Sequence, residues 1–232
     1  MLNMKAHSLG RTATTLILAA GLAAVSGIAS ADNGFANGGF ETPSGDGSSF
    51  AAGWLAAPTG FPAMLSNEAH SGAHSALLTV PTGFGASTLF QDSVAHGGLA
   101  PLTAANVGDT PVLSFWAKGD VSTTGNVLFS LNYQGEGGLL GSSGNQFFQG
   151  SINPDTWTLI TFQAAAIPVG TTSVFLEMNT AVGPLLDGRM NAVYIDDIQL
   201  TLATAAVPEP GSYALLLAGL VAVGVVVRRR RA

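Results

Sequence analysis

Asn126-Val127-Leu128-Phe129-Ser130-Leu131-Asn132-Tyr133, read with a period of two, separates into two sides. Val127, Phe129, Leu131 and Tyr133 fall on one, with Leu128, Ser130 and Asn132 on the other. Ser173-Val174-Phe175-Leu176-Glu177-Met178 divides the same way, with Val174, Leu176 and Met178 together. Successive side chains of a strand point to opposite faces, so this pattern marks half-buried strands with one face on a core. Such strands belong to antiparallel sheets rather than to doubly covered parallel ones.

Working outward, clusters of Gly, Pro, Ser, Asn and Asp bound further segments of this kind. Strands are predicted over Gly38–Glu41, Ser75–Val80, Ser87–Gln91, Val112–Lys118, Asn126–Tyr133, Gln146–Gly150, Trp157–Gln163, Ser173–Met178 and Ala192–Leu202. No stretch between the chain ends has a helical period, and the glycine-rich stretch Gly135–Gly144 reads as a long flexible loop. The fold class that follows is all-β, an antiparallel β-sandwich of two packed sheets.

The chain ends are of another character. Residues 1–31 read as a secretory signal peptide: Lys5 and Arg11, an apolar stretch from Thr14 to Ile28, then Ala29-Ser30-Ala31. Small residues at Ala29 and Ala31 suit a signal peptidase, which places the cut before Asp32. Residues 207–232 run Val207-Pro208-Glu209-Pro210-Gly211, an apolar run Tyr213–Val227, then Arg228-Arg229-Arg230-Arg231. The apolar run has 15 residues, short of the ~20 of a comfortable membrane span. It is expected to form a short membrane helix with the arginines on the cytoplasmic side and the domain outside.

This tail resembles the PEP-CTERM sorting signal of Gram-negative, exopolysaccharide-producing bacteria, on Pro208-Glu209-Pro210, the apolar run and Arg228 to Arg231. The resemblance implies recognition by an exosortase, a membrane protease that cuts near the Pro-Glu-Pro. It implies an exported protein, held transiently in the inner membrane and then sorted to the envelope or the extracellular matrix.

Between the ends, residues 32–206 hold thirteen of the fourteen acids against only Lys118 and Arg189, a balance of −11. That charge repels nucleic acid, and the arginines belong with the apolar run beside them. The chain has no cysteine, which excludes disulfides, thiolate metal sites and thiol nucleophiles. No G-x-S-x-G, H-E-x-x-H, G-x-G-x-x-G or P-loop pattern occurs. Glu136, Glu177 and Asp187 are the acids from which a glycosidase pair could be drawn, but the reading favours a non-catalytic protein.

The middle segment also resembles jelly-roll carbohydrate-binding modules of galactose-binding-like fold. The resemblance rests on Asn37-Gly38-Gly39-Phe40-Glu41, Gly53-Trp54, Ser71 to Leu77, Val112 to Lys118, Trp157 to Phe162 and Tyr194 to Leu200. It implies a structural calcium between an early Glu, carbonyls of a Ser-Gly turn and a late Asp, here Glu41, the Ser71-Gly72 region and Asp196. Alternation puts Asp196 and Asp197 on opposite sides, with Asp196 sharing Tyr194, Ile198 and Leu200 and therefore pointing inward. The alternative to calcium is that Asp196 accepts backbone N–H groups in a buried turn.

His70 and His74 have a zinc-helix spacing, but Ser71-Gly72 between them points to a solvated turn. Of the tryptophans, Trp54 and Trp157 are assigned to the core. Trp116, on a face with Val112, Ser114 and Lys118, is the candidate sugar platform, with Asn132 and Glu177 considered for its rim. The function expected is a secreted surface or matrix protein binding exopolysaccharide, or else an envelope protein with no glycan site.

Overall fold

The alternation around Asn126 folds into a strand, Gly125–Gly135, whose Val127, Phe129, Leu131 and Tyr133 are all buried. The structure is a computed structural model describing residues 33–45, 50–57 and 60–204. The segments read as a signal peptide and a sorting tail, with their residues Ala29, Ala31, Pro208, Glu209, Pro210 and Arg228 to Arg231, lie outside the described residues.

The strands are β1 (Leu55–Ala56), β2 (Met64–Ser66), β3 (Ser75–Val80), β4 (Gly85–Asp92), β5 (Thr110–Asp120) and β6 (Gly125–Gly135). Then come β7 (Gly138–Ser142), β8 (Gln146–Phe147), β9 (Thr158–Gln163), β10 (Thr171–Val182) and β11 (Asn191–Ala203). One sheet runs β1-β4-β10-β6-β7 with β8 also on β6, and the other runs β2-β3-β11-β5-β9. Every pairing is antiparallel. The chain is an antiparallel jelly-roll sandwich.

The inner faces meet in one apolar cluster. Phe115 of β5 meets Phe129 of β6 edge-on at 5.5 Å and Phe148 at 5.2 Å, joining the sheets. Leu78, Leu113, Ile195 and Leu200 face Leu89, Leu131, Leu176 and Met178 across the same cluster. Each such side chain, fully buried, contributes roughly 1.5–3 kcal/mol. Trp54 is core, as its position suggested, packed against Phe35 and Phe40 with Nε1 donating to the Asn37 carbonyl at 2.9 Å.

Three segments depart from the sequence reading. Gly38–Glu41 is a turn, because Asn37 and Phe40 take positive φ of 50° and 58°. A Cβ on Gly38 would lie 2.0 Å from the Ile198 carbonyl oxygen, so the loop lies flat on β11 only with glycine there. Gly135–Gly144 is not a loop but holds β7, a hairpin partner of β6. Gln146–Gly150 is strand for two residues before a 3₁₀ turn at Gln149–Ser151. β1 and β2 carry too few residues to show a period.

The N-terminal loop is tied to the sheets by side chains. Asn33 donates to the Ile198 carbonyl and accepts from the Leu200 N–H, and Gln91 clamps Ala36 and Gly53. These bonds carry Glu41 to the Ser71-Gly72 turn.

Candidate ligand surfaces

A bulge in β11 decides where the adjacent acids go. The pairing with β5 jumps from Asp196↔Trp116 to Gln199↔Ser114, and Asp197 takes a φ of 50°. Val193 and Ile195 are in the core before the bulge, Ile198 and Leu200 after it. Asp196 therefore shares the outer face with Tyr194 and Trp116, not the inner face with Ile198 and Leu200. It is nonetheless fully buried, because the turn from His70 to His74 closes over it.

Asp196 Oδ2 accepts the N–H groups of His70 at 2.8 Å and Ser71 at 3.1 Å, and Oδ1 accepts that of Asp197 at 2.7 Å. Burial pushes the Asp196 carboxyl above the usual range, against the pull of these three donors. Glu41 meets the next part of the turn: Oε1 accepts from Ala73 and His74, both at 2.9 Å. A Cβ on Gly72, at φ +65°, would lie 2.4 Å from that oxygen, so only glycine lets the carboxylate in.

The turn, Glu41 and Asp196 are thus together, as the calcium expectation requires. The turn, however, presents N–H groups to both carboxylates, whereas calcium needs oxygen donors. Among the described residues no group of three or more His, Asp or Glu is placed to hold a metal ion. As arranged, both carboxylates are satisfied by backbone N–H donors of this turn.

His70 is no solvated bystander. Its ring stacks on Trp116 at 3.9 Å and 13°, while Nδ1 lies 2.7 Å from Asp197 Oδ2. Ser71 Oγ donates to the other Asp197 oxygen at 2.7 Å. Trp157, assigned to the core from sequence, is half-buried on this outer face. It meets His70 edge-on at 5.8 Å and Tyr194 at 6.4 Å. Lys118 Nζ sits 5.7 Å and 5.9 Å from the Trp157 and Tyr194 rings, a cation–π arrangement, and 2.6 Å from Glu68 Oε1. Trp116 is half-buried, with one ring face taken by His70 and the neighbouring Lys118 paired with Glu68.

Asn132 and Glu177 are not beside Trp116. They lie in the other sheet, on the outer face of β6 and β10. Glu177 stands opposite Phe90 of β4 and Ser130 of β6, and Phe175 opposite Asp92 and Asn132. The Phe90 and Phe175 rings are 5.6 Å apart, both half-buried. Asn179, opposite Thr88, donates to its Oγ1 at 2.6 Å. Among the described residues the Glu177 carboxylate has no hydrogen-bond or ion-pair partner. Glu136 lies on the β6–β7 turn and Asp187 on the β10–β11 loop, so the three acids considered for catalysis occupy separate regions. Backbone N–H groups of Thr123 and Arg189 hold the Asp187 carboxyl below the usual range.

Residues 206–231 match the family model described as the PEP-CTERM protein-sorting motif. The chain carries a PEP-CTERM sorting signal. It is accordingly an exported protein sorted to the cell envelope, and the motif implies processing by an exosortase. No curated protein matches the chain in sequence.

Among solved structures, the enzymatically active domain of tailspike protein 4 of bacteriophage CBA120 is similar at TM-score 0.53 and 18% identity. That likeness covers 74% of this chain and 21% of the tailspike chain, so this protein spans about a fifth of it. A Stig cyclase of Fischerella sp. TAU gives TM-score 0.50 and 16% identity over 75% of this chain and 98% of its own. A xylan-binding CBM22 domain of Paenibacillus barcinonensis gives 0.46 and 15% over 72% and 93%. At such identities the likeness is one of fold. Fold alone does not fix function, which must be argued from the surfaces.

Proposed function

We propose that the chain is a non-catalytic surface or matrix protein that binds exopolysaccharide through the outer face of β4, β10 and β6. The observation carrying this reading is the unpartnered Glu177 carboxylate on a solvent-facing sheet between Phe90 and Ser130, beside Phe175. A sugar ring needs a flat apolar surface to stack on and charge-assisted acceptors for its hydroxyls. Phe90 and Phe175 supply the first and Glu177 the second, with the neutral amides of Asn132 and Asn179 as further hydrogen-bonding groups. The −11 balance favours neutral over anionic polymer.

A second platform is Trp116, with the exposed Leu159 opposite it on β9 and Trp157 and Tyr194 near by. Affinity electrophoresis in gels holding the producing cell's exopolysaccharide separates the two. The first surface predicts that Phe175→Ala and Glu177→Gln lose retardation while Trp116→Ala keeps it; the reverse result moves the site to Trp116. A wild-type protein that is not retarded leaves the purely structural role, and polymer shortened by the protein would make it a hydrolase.

The remaining proposals concern processing and metal. Signal peptidase removes residues 1–31, the apolar run anchors the exported chain transiently, and exosortase then cuts near Pro208-Glu209-Pro210. Calcium at Glu41, Asp196 and the Ser71-Gly72 carbonyls requires the turn to exchange its N–H groups for its carbonyls, and chelation tests it.

A further inference from the structure

The two ends of the sandwich differ in what leaves them. β11 ends at Ala203, paired with Thr110 at the start of β5. The loop before Thr110 is sewn to the start of β10: Leu102 N–H donates to the Thr172 carbonyl at 2.9 Å and Gly108 N–H to that of Ile167 at 3.0 Å. The β6–β7 turn arrives at the same place, since Gly135 pairs with Thr171 and Leu140 Cδ1 lies 3.6 Å from a Cβ built on Gly170. These loops leave Val169 79%, Leu139 62% and Leu140 44% exposed, beside an open groove walled by Leu102, Leu140 and Thr172. Glu136 is the one exposed charge among residues 101–109, 135–140 and 164–170.

From Ala203, nine residues lead to Tyr213, the first of the apolar run. Fully extended they span at most about 30–33 Å. The opposite end, where Phe84 and Leu186 are exposed, lies beyond the thirteen residues of β11, roughly 40 Å away.

Resting on the anchoring reading above, we propose that the Val169–Leu139–Leu140 end docks on the lipid surface while the chain is tethered. Apolar side chains on a nearly uncharged end gain by entering the headgroup region. The acidic domain suits a zwitterionic surface better than an anionic one. Docking holds Pro208-Glu209-Pro210 at the membrane surface, where a membrane-embedded protease reaches it.

The chain has no native cysteine, so single labels report cleanly. Full-length protein carrying Val169→Cys, Phe84→Cys or Leu217→Cys is coupled to an environment-sensitive fluorophore and mixed with phosphatidylcholine vesicles. Docking predicts blue shifts at positions 169 and 217 and none at 84. A shift at 217 without one at 169 overturns docking and leaves anchoring intact. No shift at 217 overturns anchoring and docking together. Equal shifts at 169 and 84 mean a domain lying flat, which also overturns docking by this end.

Discussion

Asp196→Ala removes the acceptor for three backbone N–H groups and leaves the His70–His74 turn held by Glu41 and the Asp197 contacts. Hydrogen bonds to a charged acceptor contribute about 1.5–3 kcal/mol each. The His70 and Ser71 donors recover water when the turn lifts, so the net loss falls near ~3–5 kcal/mol. With a urea m-value of ~2 kcal/mol/M, the unfolding midpoint drops by about 1.5–2.5 M at unchanged slope. Asp196→Asn keeps one acceptor oxygen and falls between. A loss for Asp196→Ala under ~1 kcal/mol refutes the claim that this carboxylate organises the turn.

The same residue sets a pH dependence. Burial raises the Asp196 carboxyl in the folded state, so the folded chain holds a proton to higher pH than the unfolded chain. The stability this proton contributes is present below the ordinary carboxylate range and is lost as pH rises through the raised folded value. The wild-type midpoint minus that of Asp196→Asn, which does not titrate, therefore falls across that window. A flat or rising difference contradicts the assignment.

Gly72→Ala places a methyl in the Glu41 carboxylate at φ +65°. It should cost ~2–4 kcal/mol by urea unfolding, and less in a Glu41→Ala background because the two share one contact. Chelator lowers the melting temperature if calcium is bound, by the equivalent of ~2.7 kcal/mol for an ion at a hundredfold excess over Kd. Asp196→Ala then abolishes that response; an unmoved wild-type curve means the N–H groups alone satisfy the carboxylates. Mass spectrometry of the exported protein should find a C-terminus upstream of Tyr213, and an intact Arg228–Arg231 tail would refute processing.

The strands with a long apolar stripe were legible because burial on one face enforces period two. Ser75–Val80 matches β3 to the residue, and Asn126–Tyr133 falls inside β6. The β7 hairpin was hidden because glycine and serine leave no stripe to count. Asp196 was misplaced for another reason: alternation assumes an unbroken pleat, and the bulge at Asp197 inserts one extra residue, which reverses its phase. The proximity of Glu41 to Gly72 was legible only through family resemblance, since it joins segments thirty residues apart. Asn132 and Glu177 were recognised as outward polar residues, but assigning them to a sheet needs the strand order. His70 on Trp116 had no signal at all, being set by a turn folding over a neighbouring strand.

Backbone and indole N–H resonances of the ¹⁵N-labelled exported domain, followed during titration with a soluble exopolysaccharide fragment, test the central claim most directly. The account predicts saturable shifts at Phe90, Phe175, Glu177 and Asn132, with the Trp116 indole unmoved. Shifts centred on Trp116, Trp157 and Tyr194, or none anywhere, would contradict it.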